Sequence, residues 1–391
     1  MKAAVFFDGY LPYHGVKDPG LIPLGLNRMG CDTCLVTLMK PQLATYKCPF
    51  SLISAQRERL QDAGFWRHLE ADVVICYTWL EPSYNSILTK MIEGGKRIVI
   101  KADTDGRLGY PAMPRYVRDP ASPPLRNLSS WFRHTRAFGR FGVSYGKGYR
   151  VTMPERMKQI QLSSAVIFES PKAVANVSNV LDYWRRPDLA SKVHFVPNPV
   201  AGDILAGEVR AKQNVTISIG RWEDPAKNAS LLIRSMRQFL EVNPQWRLRV
   251  VGDGERTLEQ TVSAWRNELR EKVEILGQVS HSKVVELLAD SRVLYMPSKT
   301  EGFPIVAAEA VCMGCSIVGT PLESLDFLAA NGFSGTLSEG FSSRHLTRAL
   351  TIDVSKHAEG AYDPVEIAGH WRSTLSIDQV SAQIYEIIRK L

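Results

Sequence analysis

The feature that most constrains this chain is a regular alternation of short apolar runs with helix-length amphipathic stretches, repeated along most of its length. The runs at 3–7, 73–77 and 97–101 are nearly continuous in apolar residues, as is typical of strands buried on both faces of a parallel sheet. The alternation forms two successive series, one ending near 197–199 and one beginning near 215. The sequence therefore predicts an α/β protein of two doubly wound domains that face each other.

The two series assign residues 1–198 to an N-terminal domain and residues 199–370 to a C-terminal domain. The predicted strands lie at 3–7, 32–38, 73–77, 97–101, 165–168 and 193–196 in the first series and at 215–219, 248–251, 273–276, 293–296 and 316–318 in the second. The predicted helices include 20–29, 83–93, 229–242, 258–271, 282–289 and 305–312. Because ligands bind at the carboxyl ends of the strands in such sheets, we expect the chemistry in the loops that follow them.

Composition excludes several classes of protein. The six cysteines are too few for a disulfide scaffold and suit a reducing compartment. The longest apolar stretches fall short of the ~18 residues of a membrane helix. The apolar run at 3–7 is shorter than the hydrophobic region of a signal peptide, which has about 7–15 residues. We therefore expect a cytoplasmic protein.

Cysteines and histidines offer little support for a metal site. The cysteine pairs Cys31 with Cys34 and Cys312 with Cys315 have the spacing of metal ligands, but they fall in different predicted domains, which favours buried thiols. Of the eight histidines, His14 and His134 lie in candidate loops. We predict that the protein uses no metal.

One segment carries the excess of positive charge. Residues 107–158 hold eleven Arg and Lys against two carboxylates, a net charge of +9 that exceeds the +8 of the whole chain. Aromatic side chains among these cations favour an amphipathic element that meets an anionic membrane surface or an anionic acceptor. A solvated surface and a nucleic-acid surface are the alternatives, and we expect no nucleic-acid partner. The residues assigned to membrane or acceptor binding are Trp131, Phe132, Arg133, Arg136 and Arg140.

The strongest motif runs from Glu301 to Glu309, after one predicted strand and into the next helix. Pro304 fits the first turn of that helix, and the free backbone N–H groups of residues 302–306 would face an anionic or hydroxylated ligand. A carboxylate is a good acceptor for the vicinal hydroxyls of a sugar or ribose. The alternative is a capped helix with two solvated glutamates.

A second motif follows the strand at 215–219. Gly220 ends this strand, Arg221 lies in the short loop, and Lys227 stands near the start of the next helix. Two cations at one strand end could bind a diphosphate without a metal. The alternative is a pair of ordinary surface charges.

Three further loops give weaker signals. Gly15 lies between the first strand and the first helix, where backbone could approach a phosphate. Gly252 and Gly254 follow a strand without the third glycine of a dinucleotide fingerprint. Asp103 and Asp105 follow the strand at 97–101, where they could bind a divalent cation or form an Asx-type turn.

Together these motifs resemble the glycosyltransferases of family 4, which have the GT-B architecture of two facing Rossmann-like domains. The resemblance covers residues 193–319 closely, whereas the first half is similar in layout only. The family's E-x7-E signature corresponds to Glu301 and Glu309, its Gly-Arg-x5-Lys element to residues 220–227, and its Gly-x-Gly strand end to residues 252–254.

The resemblance implies transfer from a nucleoside diphosphate sugar with retention of anomeric configuration, without metal or other cofactor. Arg221 and Lys227 would neutralise the leaving diphosphate, and Glu309 would bind the ribose hydroxyls. The donor sugar would be held by Glu301, Gly302, Phe303 and Pro304, and the base would lie on Leu276, Gly277 and Gln278. Other donor contacts would come from Gly15, Gly220 and Gly252. Residues 371–391 would form a helix that crosses back to the N-terminal domain.

The chain departs from the family pattern in its first half. The paired glycines of the first loop are reduced to Gly15, and the interdomain segment has Pro199 where the family has glycine. The histidine expected after an N-terminal-domain strand is replaced by the region around Asp103 and Asp105. We therefore expect Asp103, or else Asp105, to be the polar group of this domain at the reacting centre.

With the resemblance, these observations predict a hexosyl- or N-acetylhexosaminyltransferase of polysaccharide biosynthesis. Its acceptor would be a glycan, a glycolipid or a lipid-linked molecule, and the protein would be peripherally associated with the inner face of the plasma membrane. A nucleotide-sugar epimerase or hydrolase of the same fold is one alternative. A non-catalytic protein that binds anions or nucleic acid is the other.

Overall fold

The computed structural model describes residues 1–108 and 150–391, which form two sheets with helices on both faces. The first sheet has seven strands in the order β3-β2-β1-β4-β5-β6-β7, and all its pairs are parallel. Its strands are β1 Lys2–Phe6, β2 Asp32–Leu38, β3 Ser51–Ala55, β4 Val73–Tyr77, β5 Arg97–Ala102, β6 Ala165–Phe168 and β7 Val193–Phe195.

The second sheet has six parallel strands in the order β10-β9-β8-β11-β12-β13. Its strands are β8 Gln213–Ile219, β9 Arg247–Val251, β10 Val273–Ile275, β11 Ser291–Met296, β12 Ser316–Gly319 and β13 Gly335–Leu337. In both sheets the strand order reverses beside the first strand of the series, as in other doubly wound folds. The predicted α/β class with two doubly wound domains is confirmed.

The described helices flank these sheets. Those of the first half are α1 Asp18–Arg28, α2 Arg57–Leu60, α3 Ala63–His68, α4 Asn85–Glu93, α5 Arg150–Leu162 and α6 Pro171–Tyr183. Those of the second half are α7 Gly202–Ala206, α8 Ala229–Val242, α9 Glu255–Ser263, α10 Asn267–Arg270, α11 His281–Asp290, α12 Ile305–Cys312, α13 Glu323–Ala329, α14 Ser343–Ala358, α15 Pro364–Leu375 and α16 Ile377–Arg389. Short 3-10 helices occupy Pro12–Val16, Pro41–Leu43, Pro82–Tyr84, Pro187–Lys192 and Ala330–Gly332.

Burial on both faces explains why the strand sequences are almost wholly apolar. On β1, Phe6 packs on one face of the sheet with Trp66, whereas Val5 packs on the other face with Ile22. The second sheet likewise separates two apolar clusters, with Leu294 on one side and Val293 on the other. Neither face of either sheet is left to solvent, so no polar alternation is needed.

The sequence misjudged three elements. The single helix predicted at 258–271 is two helices, α9 and α10, because the chain turns at Trp265 and buries its ring beside Leu258. Strands β3 and β13 were not predicted. Both lie at a sheet edge, where a strand is less fully buried and its sequence carries no continuous apolar run.

The end of the chain connects the two domains. Helix α15 packs on α12 of the second domain, and after Ser376 helix α16 packs on α1 of the first. Val380, Ile384 and Ile388 complete an apolar cluster of the first domain. Gly25 permits the close approach of α1 and α16, because a Cβ there would lie 1.9 Å from Ser381 Oγ. Among the described helices, none combines the length and apolar character needed to span a bilayer.

Candidate functional site

The loop after β8 is anchored by backbone contacts to the next strand. Gly220 N–H donates to Val251 O at 3.0 Å, and Trp222 N–H donates to Asp253 O at 2.7 Å. The buried indole of Trp222 adds a bond from Nε1 to Val251 O at 3.0 Å. Between these anchors the Arg221 side chain is 76% exposed, 3.4 Å from Asp224. Arg221 is therefore at the strand end that the sequence predicted, with its guanidinium directed toward solvent.

The two strongest sequence motifs meet through Lys227 and Glu301. Lys227 Nζ lies 2.7 Å from Glu301 Oε1, and Ser298 Oγ donates to the same oxygen at 2.6 Å. The backbones are also joined, because Lys299 N–H donates to Ala226 O at 2.7 Å. The cation and the carboxylate are largely buried, with side chains 19% and 12% exposed. The loops after β8 and β11 thus form one site.

Glycines bring the neighbouring strand ends into the same site. Gly252 has φ +112°, and a Cβ there would lie 1.9 Å from Gly220 O. Gly252 N–H donates to Gly277 O at 2.7 Å, which connects the loop after β10. Gln278 follows with an exposed side chain. A larger residue at Gly252 would push apart the loops after β8 and β9.

The helix that carries Glu309 has the predicted range 305–312, but Pro304 precedes it instead of lying in its first turn. Pro304 is the N-cap residue and α12 begins at Ile305, because the ψ of Pro304, 87°, lies outside the helical region. The N–H of Phe303 donates to Asp103 Oδ1 at 3.1 Å, and a Cβ on Gly302 would lie 2.0 Å from the same oxygen. An N–H group that we expected to face a ligand is therefore occupied by a carboxyl group of the other domain.

Asp103 belongs to a polar cluster at the strand ends of the first sheet. It hydrogen-bonds to Glu169, which follows β6. Burial, together with the neighbouring Glu169 carboxylate, raises the pKa of Asp103 to about 8. The raised pKa favours the protonated form of Asp103 near neutral pH, and this form can donate a hydrogen bond to Glu169.

A fully buried lysine neutralises the Glu169 carboxylate. Lys101 Nζ lies 2.5 Å from Glu169 Oε1 and donates to Asn198 Oδ1, also at 2.5 Å. Asn198 is in the segment between the domains, so the cluster ties two strand ends to the interdomain connection. Burial raises the pKa of Asp18, at the start of α1, to about 6. The positive charge of Lys101 nearby acts in the opposite direction.

Asp105 and Gly15 have local structural roles. Asp105 is exposed, and its Oδ1 accepts from Arg107 N at 3.0 Å, which is the Asx-type turn given as an alternative. Gly106 then takes φ +75° beside the backbone of Ala173. Gly15 lies in the 3-10 helix Pro12–Val16, with Tyr46 OH 2.7 Å from where its Cβ would be.

Glu309 is bonded to a histidine that the sequence analysis did not select. His281 Nε2 lies 3.0 Å from Glu309 Oε1, and His281 Nδ1 lies 2.9 Å from Asp203 Oδ2. These bonds raise the pKa of His281 to about 9, with the bond to Glu309 as the largest cause. Choosing histidines only from loops after strands overlooked His281, which opens a helix.

The sequence analysis also overlooked the buried polar cluster at the strand ends of the first sheet. Lys101, Glu169 and Asn198 were not selected, although Glu169 directly follows an apolar strand run, as Asp103 does. Applying the strand-end rule to every strand would have found it. The proposed membrane or acceptor residues Trp131, Phe132, Arg133, Arg136 and Arg140, and also His134, lie outside the described residues.

The cysteines of the described domains are free thiols, and four of them are buried, as expected for packing residues. Within residues 1–108 and 150–391, no group of three or more His, Cys, Asp or Glu is arranged to hold a metal ion.

Two facing parallel sheets whose strand-end loops meet at Asp103 and Phe303 define the GT-B class of fold. Solved structures share it along the whole chain. Sucrose-phosphate synthase from Thermosynechococcus elongatus has a TM-score of 0.67 and 15% identity, covering 100% of this chain and 98% of that one. Anabaena Alr3699/HepE in complex with UDP has a TM-score of 0.68 and 15% identity, covering 100% of both chains.

Sequence comparison finds relatives of the C-terminal domain. Residues 206–355 match the family model of the glycosyl transferases group 1. A phosphatidyl-myo-inositol mannosyltransferase of Mycobacterium leprae is 28% identical over 181 residues, 44% of this chain and 47% of the relative. The matched region thus spans about half the length of that curated relative. The C-terminal domain is thus similar to the glycosyl transferases group 1, in agreement with the resemblance drawn from its motifs.

Proposed function

We propose that the protein transfers a hexosyl or N-acetylhexosaminyl group, with retention, from a nucleoside diphosphate sugar to a glycan, glycolipid or lipid-linked acceptor. The observation that carries the proposal is the junction of Lys227 and Glu301 beside the loop where Asp103 meets Phe303. The groups that meet there are all at strand ends. They are the Lys227 cation, the Glu301 carboxylate, the N-terminus of α12 and the Asp103 carboxyl group of the opposite domain. This arrangement suits a donor bound between the domains.

The reaction breaks the bond between the sugar and the diphosphate, so negative charge grows on the leaving group while positive charge grows on the ring. Lys227, which pairs with Glu301 at the strand end, would stabilise the diphosphate. Arg221 would move from solvent to meet the same phosphates, giving up its contact with Asp224 at 3.4 Å. These two side-chain cations would serve where other enzymes use a metal ion.

The remaining donor contacts follow from the positions of the other motif residues. Glu301 and the backbone of residues 302–304 would bind the sugar, and Glu309 the ribose hydroxyls. Leu276, Gly277 and Gln278 would lie under the base. Anabaena HepE was solved with UDP-glucose, and curated relatives are named mannosyltransferases, so hexose donors are the first to test.

Asp103 is the group of the N-terminal domain that we place at the reacting centre. Its carboxyl group contacts the loop that would hold the donor sugar, at Gly302 and Phe303. Because its pKa is raised to about 8, it can offer a hydrogen bond at neutral pH as well as accept one. A bound donor sugar would take over the Phe303 N–H and leave Asp103 facing the ring.

The acceptor would approach at the inner face of the plasma membrane, where the basic segment 107–158 would hold the protein on anionic lipid. This placement depends on the charge of that segment. The epimerase or hydrolase alternative shares the fold but needs no acceptor, so transfer to an added acceptor separates the two.

The test is a panel of nucleotide sugars, scored first by thermal stabilisation and then by transfer to added glycan and lipid acceptors. A donor at about 100 times its dissociation constant adds roughly 2.7 kcal/mol of stability. Turnover should persist in excess chelator, because Arg221 and Lys227 replace the metal. Reversible loss in chelator would overturn metal independence, and binding without any transfer would favour a non-catalytic protein.

A further inference from the structure

The His281 imidazole links two carboxylates from different parts of the C-terminal domain. Glu309 lies within α12, and Asp203 lies in α7, which follows the interdomain connection directly. The two ring nitrogens are 3.0 Å and 2.9 Å from these carboxylates. His281 is held in turn by the N-terminus of α11, where Ser280 Oγ accepts from Lys283 N.

Donor and acceptor chemistry fixes the charge of this ring. An ionised carboxylate can only accept hydrogen bonds, so a ring with a carboxylate at each nitrogen must donate from both and is an imidazolium. Such charge-assisted bonds are stronger than neutral ones. The Glu309 side chain is only 8% exposed, so His281 supplies the cation that keeps this carboxylate ionised away from solvent.

We propose that His281 is a positioning residue for the donor: clamped by Asp203, its imidazolium fixes the orientation of Glu309, whose free oxygen then accepts from the ribose diol of a nucleoside diphosphate sugar. The inference rests on the proposed function and extends it, because it adds two residues to the donor site. Asp203 acts only through the ring. Since Asp203 follows the interdomain connection, donor binding is tied to the segment between the domains.

A purely structural role for the same bonds makes a different prediction. If the bonds of His281 only join α7, α11 and α12, their loss would lower the stability of the protein. It would leave the discrimination between ribose and 2′-deoxyribose unchanged. A positioning role acts on ribose recognition, so its loss weakens nucleotide binding and reduces the preference for ribose over 2′-deoxyribose. Once donor is saturating, transfer itself should be little affected.

The test uses the full chain with the substitutions His281→Gln and Asp203→Asn. UDP, GDP and ADP are titrated into wild type, and the tightest binder is compared with its 2′-deoxy form. We expect His281→Gln to raise the dissociation constant of the ribonucleotide roughly tenfold, and Asp203→Asn to raise it less. Both substitutions should also reduce the ratio of the dissociation constant of the 2′-deoxyribonucleotide to that of the ribonucleotide. The turnover number at saturating donor should stay within about twofold.

The pH profile supplies a second readout. The described charged groups that bond to the ring are Asp203 and Glu309. Because the raised pKa of His281 is about 9, ribonucleotide affinity of the wild type should hold near neutrality and weaken as pH rises through 9. His281→Gln should lack this loss. His370→Gln, which changes an exposed histidine of the same domain, is the matched control and should behave as wild type.

The outcomes are distinct. An unchanged dissociation constant in His281→Gln, or an unchanged ratio of deoxy to ribose binding, overturns the positioning role even if the protein transfers sugar. If His281→Gln does not fold, Asp203→Asn decides by the same two measurements. If wild type binds none of the three nucleotides and transfers no sugar, the proposed function itself is wrong.

Discussion

The two domains place polar groups at their strand ends in opposite ways. In the C-terminal domain, Arg221 and Lys227 lie in loops held by backbone bonds, and the Arg221 side chain remains open to solvent. In the N-terminal domain, Lys101, Glu169 and Asn198 are almost completely buried, and Lys101 bonds to both of the others. The exposed Arg221 can therefore meet a ligand without rearrangement of the fold, whereas the cluster that ties β5 and β6 to the interdomain connection is shielded from water.

The largest effect should be the loss of stability when the buried ion pair of the N-terminal domain is broken. Lys101→Met leaves the Glu169 carboxylate buried without its cation, and breaking a buried pair in this way costs about 3–5 kcal/mol. We expect the free energy of unfolding, measured with urea, to fall by that amount. The double variant Lys101→Met with Glu169→Leu removes both charges and should recover most of the loss; a loss equal to the single variant would refute the pairing.

The next effect tests the two loop cations of the C-terminal domain. Lys227→Ala and Arg221→Ala should each lower turnover about 10²-fold or more, because each removes a cation from the leaving diphosphate. The fold should survive, with an unfolding midpoint close to wild type for the exposed Arg221. Lys283→Ala, which removes an exposed lysine paired with Glu286, is the control for loss of positive charge. Wild-type turnover in Lys227→Ala would remove this residue from the site.

A smaller effect should appear in the pH dependence of stability. The pKa of Asp103 is raised to about 8, well above the value of about 3.9 in an unfolded chain. Its contribution to stability is therefore complete below about pH 4 and is lost as pH rises through 8. Asp103→Asn keeps a neutral side chain of the same size, so its stability should decline less than wild type between pH 6 and 8. Parallel pH profiles would show that Asp103 is not protonated in the folded protein.

The smallest effect per residue concerns the basic segment. Anionic lipid attracts roughly 1 kcal/mol per Arg or Lys near its surface. The triple variant Arg133→Ser, Arg136→Ser and Arg140→Ser should lose salt-sensitive sedimentation with anionic vesicles, yet bind nucleotide sugar as wild type does. Persistent vesicle binding would refute the membrane role. Loss of donor binding would instead assign these residues to the active site. Donor binding would then depend on both domains.

The two doubly wound sheets could be predicted from the sequence alone, because strands buried on both faces require nearly continuous apolar runs. The sequence also located Gly220, Lys227 and Glu301, since their positions follow from local spacing around single strands. The central strands were predicted well, whereas the edge strands Ser51–Ala55 and Gly335–Leu337 were missed because partial burial leaves only a weak pattern.

The contacts between residues far apart in the sequence could not be predicted and became visible in the folded chain. Lys101 contacts Asn198 across 97 positions of sequence, and Asp103 reaches Phe303 across 200. His281 joins Asp203 to Glu309 in the same way. None of these pairs has a local signature, because they form where strand ends and helix starts from separate parts of the chain converge. Burial then sets their charge states, which depend on neighbours that no stretch of sequence contains.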